Sequence, residues 1–235
     1  MTAVVLAACG DGATVRAVSP GNDEAAHAAP CPPSDAAGDA VIDWVEFVRL
    51  DGVMYSGVDP ANTVDSALVG EQVARVRCRI GDIVSNPDFR ARDGDAAYLP
   101  AGTALHAFGD ADPDLRLAVE QEGAWRVYEA DRRDTARHGS DVLDLGGGVE
   151  RVELRDGDTG ERVLGTVDKP PEVDAIVQAV LSAGTVEPDY DVAESPLFVR
   201  FVLTDGTYVE RDWLAGQGVL GSVIRAPQEL DRLRR

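Results

Sequence analysis

The sequence predicts an α+β fold, in which a β-rich N-terminal module, a small barrel or curved sheet, precedes an α+β module with one long helix on an antiparallel sheet. Three observations carry this expectation. From about residue 40 to 130, short alternating runs recur between Gly, Pro and Asp turns. From 141 to 235, a run with helical periodicity is flanked by strand pairs. Between them, Asp131 to Ser140 is polar and Gly146-Gly147-Gly148 is permissive backbone, which marks a boundary between about Asp131 and Gly148. No internal repeat of fixed period is present.

In the first module, Arg75-Val76-Arg77-Cys78-Arg79-Ile80 alternates strictly, which sets Val76, Cys78 and Ile80 on a core face and the three arginines on the other. Further strands are expected at Val41 to Leu50, Ala96 to Leu99, Thr103 to Phe108, Leu115 to Val119 and Trp125 to Tyr128. Turns separate them at Arg92 to Asp95, Pro100 to Gly102 and Gly109-Asp110. Spacing this regular favours a curved sheet or small barrel over a helical bundle. Asn62 to Val73 reads as one short helix.

In the second module, Val149 to Arg155 and Glu161 to Val167 flank Asp156-Gly157-Asp158-Thr159-Gly160, a composition that demands a hairpin turn. Val173, Ile176, Val177, Val180 and Leu181 then fall at helical spacing. Pro170-Pro171 stands at the entry, Glu172 in the first turn and Gly184 just past the end. Leu197 to Leu203 alternates into Thr204-Asp205-Gly206-Thr207, the return strand is Tyr208 to Leu214, and Val219 to Ile224 precedes a short terminal helix from Pro227. The resulting order is β-β-α-β-β-β-α.

Composition narrows the function. With 42 acidic against 22 basic residues the net charge is -20, so most of the surface repels nucleic acid and anionic lipid, and no nucleic-acid partner is expected. Lys169 is the sole lysine, which together with the many Ala, Gly, Asp and Val residues suggests high-GC codon usage and an actinobacterial type of source.

Leu6-Ala7-Ala8-Cys9 has the pattern of a bacterial lipobox, in which small residues precede a cysteine that takes a diacylglycerol and becomes the mature terminus. Residues 1–8 then read as a signal-peptide remnant and 9–39, rich in Gly, Ala, Ser, Asp and Pro, as a flexible tether to the membrane. The run Ala3 to Ala8 is short and no basic segment precedes it, which fits either a start internal to a longer gene product or a cytoplasmic chain with a chance match. With Cys9 lipidated, Cys31 and Cys78 remain as an even pair that an oxidising exterior lets bridge; the competing reading of Cys78 is a small core residue.

The lipobox, the run Arg92 to Thr103 and Phe201-Val202-Leu203-Thr204-Asp205-Gly206-Thr207 together resemble actinobacterial lipoproteins of unknown function, over most of the mature chain. The resemblance implies a shared fold and a lipid-anchored place on the outer face of the cytoplasmic membrane, and it brings no catalytic residues. The short segment before the lipobox is where this chain departs from that group.

Candidate chemistry is sparse. Asp158-Thr159-Gly160 matches the aspartic-protease tripeptide but reads as a hairpin tip. Asp110, Asp112 and Asp114 have the spacing of a calcium loop, yet Arg116 and Gln121 stand where that loop needs Gly and Glu. His27, His106 and His138 lie apart from the cysteines, so neither a metal nor a cofactor is expected. His106 or His138 as general bases would need partners that the sequence does not name. Trp44, Trp125, Tyr128, Tyr208 and Trp213 read as core or, where several are exposed together, as a binding face, and Arg75, Arg77 and Arg79 as a solvent face or a binding face for an anionic partner. The sequence thus points to an exported, non-enzymatic binding or interaction module for an envelope protein or a small ligand. A cell-wall or peptide hydrolase with dispersed catalytic residues is the alternative.

Overall fold

A computed structural model describes Cys31, Gly38 and residues 40–131, 135–186, 196–221 and 223–234. From Cys31 onward the chain forms one compact unit that is mostly β and contains two sheets. The lipobox, Cys9 and most of the expected tether lie outside the described residues.

The first sheet is built from β1 (Phe47–Leu50), β2 (Val53–Gly57), β3 (Thr63–Val64), β4 (Val69–Arg75), β5 (Cys78–Arg79), β6 (Asp95–Ala96), β7 (Ala104–Phe108), β8 (Arg116–Gln121) and β9 (Ala124–Ala130). Its order is β4-β7-β8-β9-β2-β1-β6-β5, with β3 added on β9. The two ends of that order, β4 and β5, are nearly consecutive in sequence. One extended run therefore pairs with β7 through its first half and, parallel, with β6 through its second, which obliges the sheet to curl into a half-barrel. Val48, Tyr55, Leu105, Leu117, Val119 and Tyr128, from five different strands, meet in one buried cluster that lines the curl.

The expected alternation over Arg75 to Ile80 holds in burial, since Val76, Cys78 and Ile80 are buried and the arginines exposed. It is not one strand, however, because the chain changes partner at Val76 and Arg77. The helix expected over Asn62 to Val73 is corrected as well. Asp65 accepts from the Ala67 amide and caps a single 3-10 turn, Ser66–Leu68, after which β7 draws Val69–Arg75 into the sheet. Of Val41 to Leu50 only Phe47–Leu50 is strand. A further hairpin is present, in which Asp51 (φ 46°) and Gly52 (φ 81°) form a two-residue turn that pairs Leu50 with Val53.

The second sheet follows the expected order closely. It consists of β10 (Val149–Arg155), β11 (Val163–Val167), β12 (Leu197–Leu203), β13 (Tyr208–Leu214), β14 (Val219–Leu220) and β15 (Ile224–Arg225), all antiparallel in the order β11-β10-β12-β13-β14-β15. Helix α1 (Pro170–Ser182) buries Val173, Ile176 and Val180 against Val152, Phe201 and Leu203 of this sheet. The C-terminal segment Gln228–Arg234 is 3-10 helix and seats Leu230 and Leu233 in the same core. Gly184 follows α1 and forms a β-bridge with His138. Val142, Leu143 and Leu145, at the start of the second module and just before Gly146-Gly147-Gly148, are buried in this core too.

Polar contacts join the sheets. Asn62 exchanges two hydrogen bonds with the Tyr208 backbone, Arg116 Nη2 donates to Thr207 Oγ1 at 2.8 Å, and Arg211 Nη1 donates to Glu129 Oε2 at 2.5 Å. Asp59 accepts from the Tyr208 hydroxyl at 2.6 Å and lies 3.8 Å from the Arg200 guanidinium. These bonds hold the carboxyl of Asp59 below its ordinary range, the Tyr208 hydroxyl contributing most.

Candidate functional site

A cleft of about 520 Å³ opens in the first sheet at the end of the β8–β9 hairpin. The hairpin turns through Glu122 (φ 53°) and Gly123 (φ 82°), which pairs Gln121 with Ala124 and holds Gln121 at the cleft. The segment before β1 supplies Glu46, the end of β2 supplies Gly57, and the loop between β6 and β7 supplies Tyr98, Pro100 and Thr103.

Three side chains are locked together there. Tyr128 Oη donates to Glu46 Oε1 at 2.5 Å, Gln121 Nε2 donates to the same oxygen at 2.5 Å, and Gln121 Nε2 lies 3.0 Å from Tyr128 Oη. Burial, and then the bond to Glu46, raise the Tyr128 phenol far above its ordinary value, so it stays protonated and donates. Gly57 makes room for the carboxylate: a Cβ there would meet Glu46 Oε2 at 3.0 Å. Among the described residues no hydrogen bond reaches that second oxygen. Glu120 and Glu122 add negative charge at the cleft, and the one arginine lining it, Arg126, is tied to Pro60 O at 3.0 Å and to Glu122 at 3.2 Å. Chemically this is a preorganised acceptor, suited to a ligand that brings N–H or O–H donors or positive charge.

The structure places the residues singled out in the sequence as follows. Cys31 and Cys78 are joined as a disulfide with Cα atoms 5.8 Å apart, at the strand where the curled sheet ends. Arg75, Arg77 and Arg79 are all exposed, and each makes local contacts. Arg75 bonds Gly102 O and Gln72 Oε1, Arg77 bonds Asp93 O, and Arg79 pairs with Asp82 at 2.9 Å. In Asp158-Thr159-Gly160 the organising acid is Asp156, whose carboxylate accepts from the Asp158, Thr159 and Arg162 amides. Asp112 accepts from the Asp114 amide and does not converge with Asp110 on a cation site; among the described residues no group of three His, Cys, Asp or Glu side chains could hold a metal.

His106 Nδ1 contacts Gly70 O at 2.9 Å and its ring stands edge-on to Trp125. His138 Nδ1 is 3.9 Å from Asp141 Oδ2, beyond hydrogen-bond reach. Tyr128 and Trp213 are core residues as expected, whereas Trp44, Trp125 and Tyr208 are half-buried. Glu46 and Gln121 were not singled out in the sequence, since neither stands in a motif. Their convergence depends on strand register across β1, β2, β9 and β8. No helix of the described residues is long and apolar enough to cross a membrane. No protein-family model, curated protein or solved structure matches this chain.

Proposed function

We propose that the protein is an exported lipoprotein, anchored through Cys9 to the outer face of the cytoplasmic membrane, whose folded body is a non-enzymatic binding module. The observation that carries the binding reading is the Glu46–Tyr128–Gln121 arrangement in the cleft. A phenol committed to a carboxylate and a carboxylate oxygen left over support recognition of a donor group better than turnover, because a general base needs a nucleophile within reach. The ligand is a small molecule, or a protruding side chain of an envelope protein, that brings a basic or hydrogen-bond-donating group to Glu46. The net charge of -20 favours the approach of such a group. The anchor reading rests on Leu6-Ala7-Ala8-Cys9 and the tether-like composition that follows.

Chemical-shift mapping with short peptides that differ only in carrying Lys, Arg, Gln or Glu tests the cleft. The basic members should shift Gly57 and Gln121, and Glu46→Gln should abolish the response. Equal responses to all four peptides, or none, would remove the reading. Intact-mass analysis from the membrane fraction of an actinobacterial host, with the gene's upstream region included, tests the anchor. A chain starting at Cys9 with an added diacylglyceryl mass is expected, and an unprocessed chain would refute it.

A further inference from the structure

The group at Glu46 has spent its own donors. Tyr128 gives its hydroxyl hydrogen to Glu46 Oε1, and Gln121 Nε2 directs its two hydrogens to that oxygen and to Tyr128 Oη. What the group still offers is two acceptors, Glu46 Oε2 and the Gln121 carbonyl Oε1, which have no hydrogen bond among the described residues. Both are open to solvent, because the buried side-chain atoms without a partner are Trp44 Nε1, Arg116 Nε, Glu129 Oε1 and Trp213 Nε1. Charge at the cleft points the same way. Three carboxylates line it, Glu46, Glu120 and Glu122, against one guanidinium, Arg126, which Glu122 already holds at 3.2 Å.

The complement of this surface is a cation that only donates, and two biological groups qualify: an ammonium and a guanidinium, neither of which carries an acceptor. Glu46 Oε1 tells them apart. A guanidinium gains over an ammonium by presenting two parallel N–H groups to both oxygens of one carboxylate. Here Oε1 already accepts from two donors, each at 2.5 Å, so the fork finds one oxygen where it needs two. The approach to the other oxygen is flanked by backbone, since a Cβ on Gly57 would come within 3.0 Å of it, and this favours a compact donor. An ammonium is such a donor, with three hydrogens on one atom. For the rest of the ligand the cleft supplies an apolar wall. Val58, Tyr98 and Pro100 line it, and the Tyr98 hydroxyl is turned away to Trp44 O at 2.7 Å, which leaves the ring to pack against.

We propose that the cleft selects a primary alkylammonium over a guanidinium, the ammonium donating to Glu46 Oε2 and to the Gln121 carbonyl while an unbranched aliphatic chain lies against Val58, Tyr98 and Pro100. This assignment rests on the cleft being the binding site argued above. A free small amine and a lysine side chain share this chemistry, and the experiment separates them.

The experiment is a chemical-shift titration of the full chain with butylammonium, butylguanidinium and butyltrimethylammonium chlorides at constant ionic strength. Butylammonium should shift Gly57 and Gln121 in a saturable way, with half-saturation about tenfold lower than for butylguanidinium, the equivalent of one charge-assisted hydrogen bond. Butyltrimethylammonium, which has no N–H to donate, should bind weakest. Gln121→Met frees Glu46 Oε1 of one donor and removes the carbonyl, so it should bring the ammonium and the guanidinium close to parity. A residue with only a structural role would lower both affinities by the same factor, and that result would overturn the proposal. Lysine blocked at both backbone ends separates the sources: tighter binding than butylammonium assigns the amine to a protein side chain, and weaker binding assigns it to a free small molecule. Equal or tighter binding of butylguanidinium to the wild type would overturn the selection and leave the cleft as a site for basic groups in general. No saturable shift with any of these cations would overturn both readings.

Discussion

Asn62 stands in for a strand residue opposite Tyr208: its Nδ2 donates to Tyr208 O at 2.7 Å and its Oδ1 accepts from Tyr208 N at 3.1 Å. The amide side chain therefore does what a backbone partner does in a ladder, and it does so at 1% exposure between two sheets. Beside it Asp59, Tyr208 and Arg200 form a partly exposed polar group, and Arg200 lies 3.8 Å over the Tyr208 ring. Directional bonds thus tie the sheets together, and among the described residues no buried apolar cluster spans both.

Replacing Asn62 should expose how much that junction matters. Asn62→Ala leaves a buried donor and a buried acceptor unpaired, at a cost of about 2–4 kcal/mol. Asn62→Asp should also destabilise, because a carboxylate cannot donate to Tyr208 O. Urea unfolding measures both. A change of only a few tenths of a kcal/mol in Asn62→Ala would mean that water satisfies the Tyr208 backbone without help.

The buried pair Arg116 and Glu129 gives a second prediction. Arg116→Met removes the guanidinium that bonds Thr207 and neighbours Glu129, and breaking such a pair from one side costs about 3–5 kcal/mol. Arg116→Met combined with Glu129→Leu should recover only part of that loss, since both charges of the pair are then gone but Arg211 loses its carboxylate partner. Equilibrium unfolding of both single variants and the double variant decides it. A strictly additive double variant would show that the two residues are not coupled.

These contacts also explain which parts of the fold were legible. The β10–β11 and β12–β13 hairpins and α1 were read from local signals: the Asp156 to Gly160 turn, the Thr204 to Thr207 turn, and the Pro170-Pro171 entry with its helical spacing. The Asp51-Gly52 hairpin carries the same kind of local signal. The junction carries none. Asn62 and Tyr208 are 146 residues apart, Arg116 and Thr207 are 91 apart, and Glu129 and Arg211 are 82 apart. Nothing local distinguishes these residues from solvated ones. Glu46 in the cleft was hidden for the same reason, because its partners Gln121 and Tyr128 lie 75 and 82 residues away. The Arg75 to Ile80 alternation reported burial correctly but said nothing of the change of partner that curls the sheet.

The disulfide should be a measurable part of stability. Cys31 and Cys78 close a loop with a sequence separation of 47, for which the chain-entropy account gives about 4 kcal/mol. Cys31→Ser with Cys78→Ala, or reduction of the native protein, should lower the unfolding midpoint accordingly. Because Cys78 packs with Phe47, Ile80 and Phe89, the cysteine-free variant should keep its near-ultraviolet dichroism. An unchanged midpoint would mean that this bridge adds nothing beyond the packing of Cys78.

Asp156 supplies the clearest pH dependence. The Thr159 and Arg162 amides that it accepts from lower its pKa from 3.8 to about 2. A lowered folded-state pKa means that the stabilisation is complete above the unfolded value, near pH 4, and is lost as pH falls towards 2. Asp156→Asn removes the charge on which this effect depends, so the variant should be less stable than the wild type at neutral pH, and the difference should shrink between pH 4 and 2. A carboxyl carbon titration followed by nuclear magnetic resonance should place the Asp156 midpoint near 2. A midpoint near 3.8 would mean that these amides do not bind the carboxylate in solution, and that the β10–β11 turn is held by its backbone bonds and by Arg155.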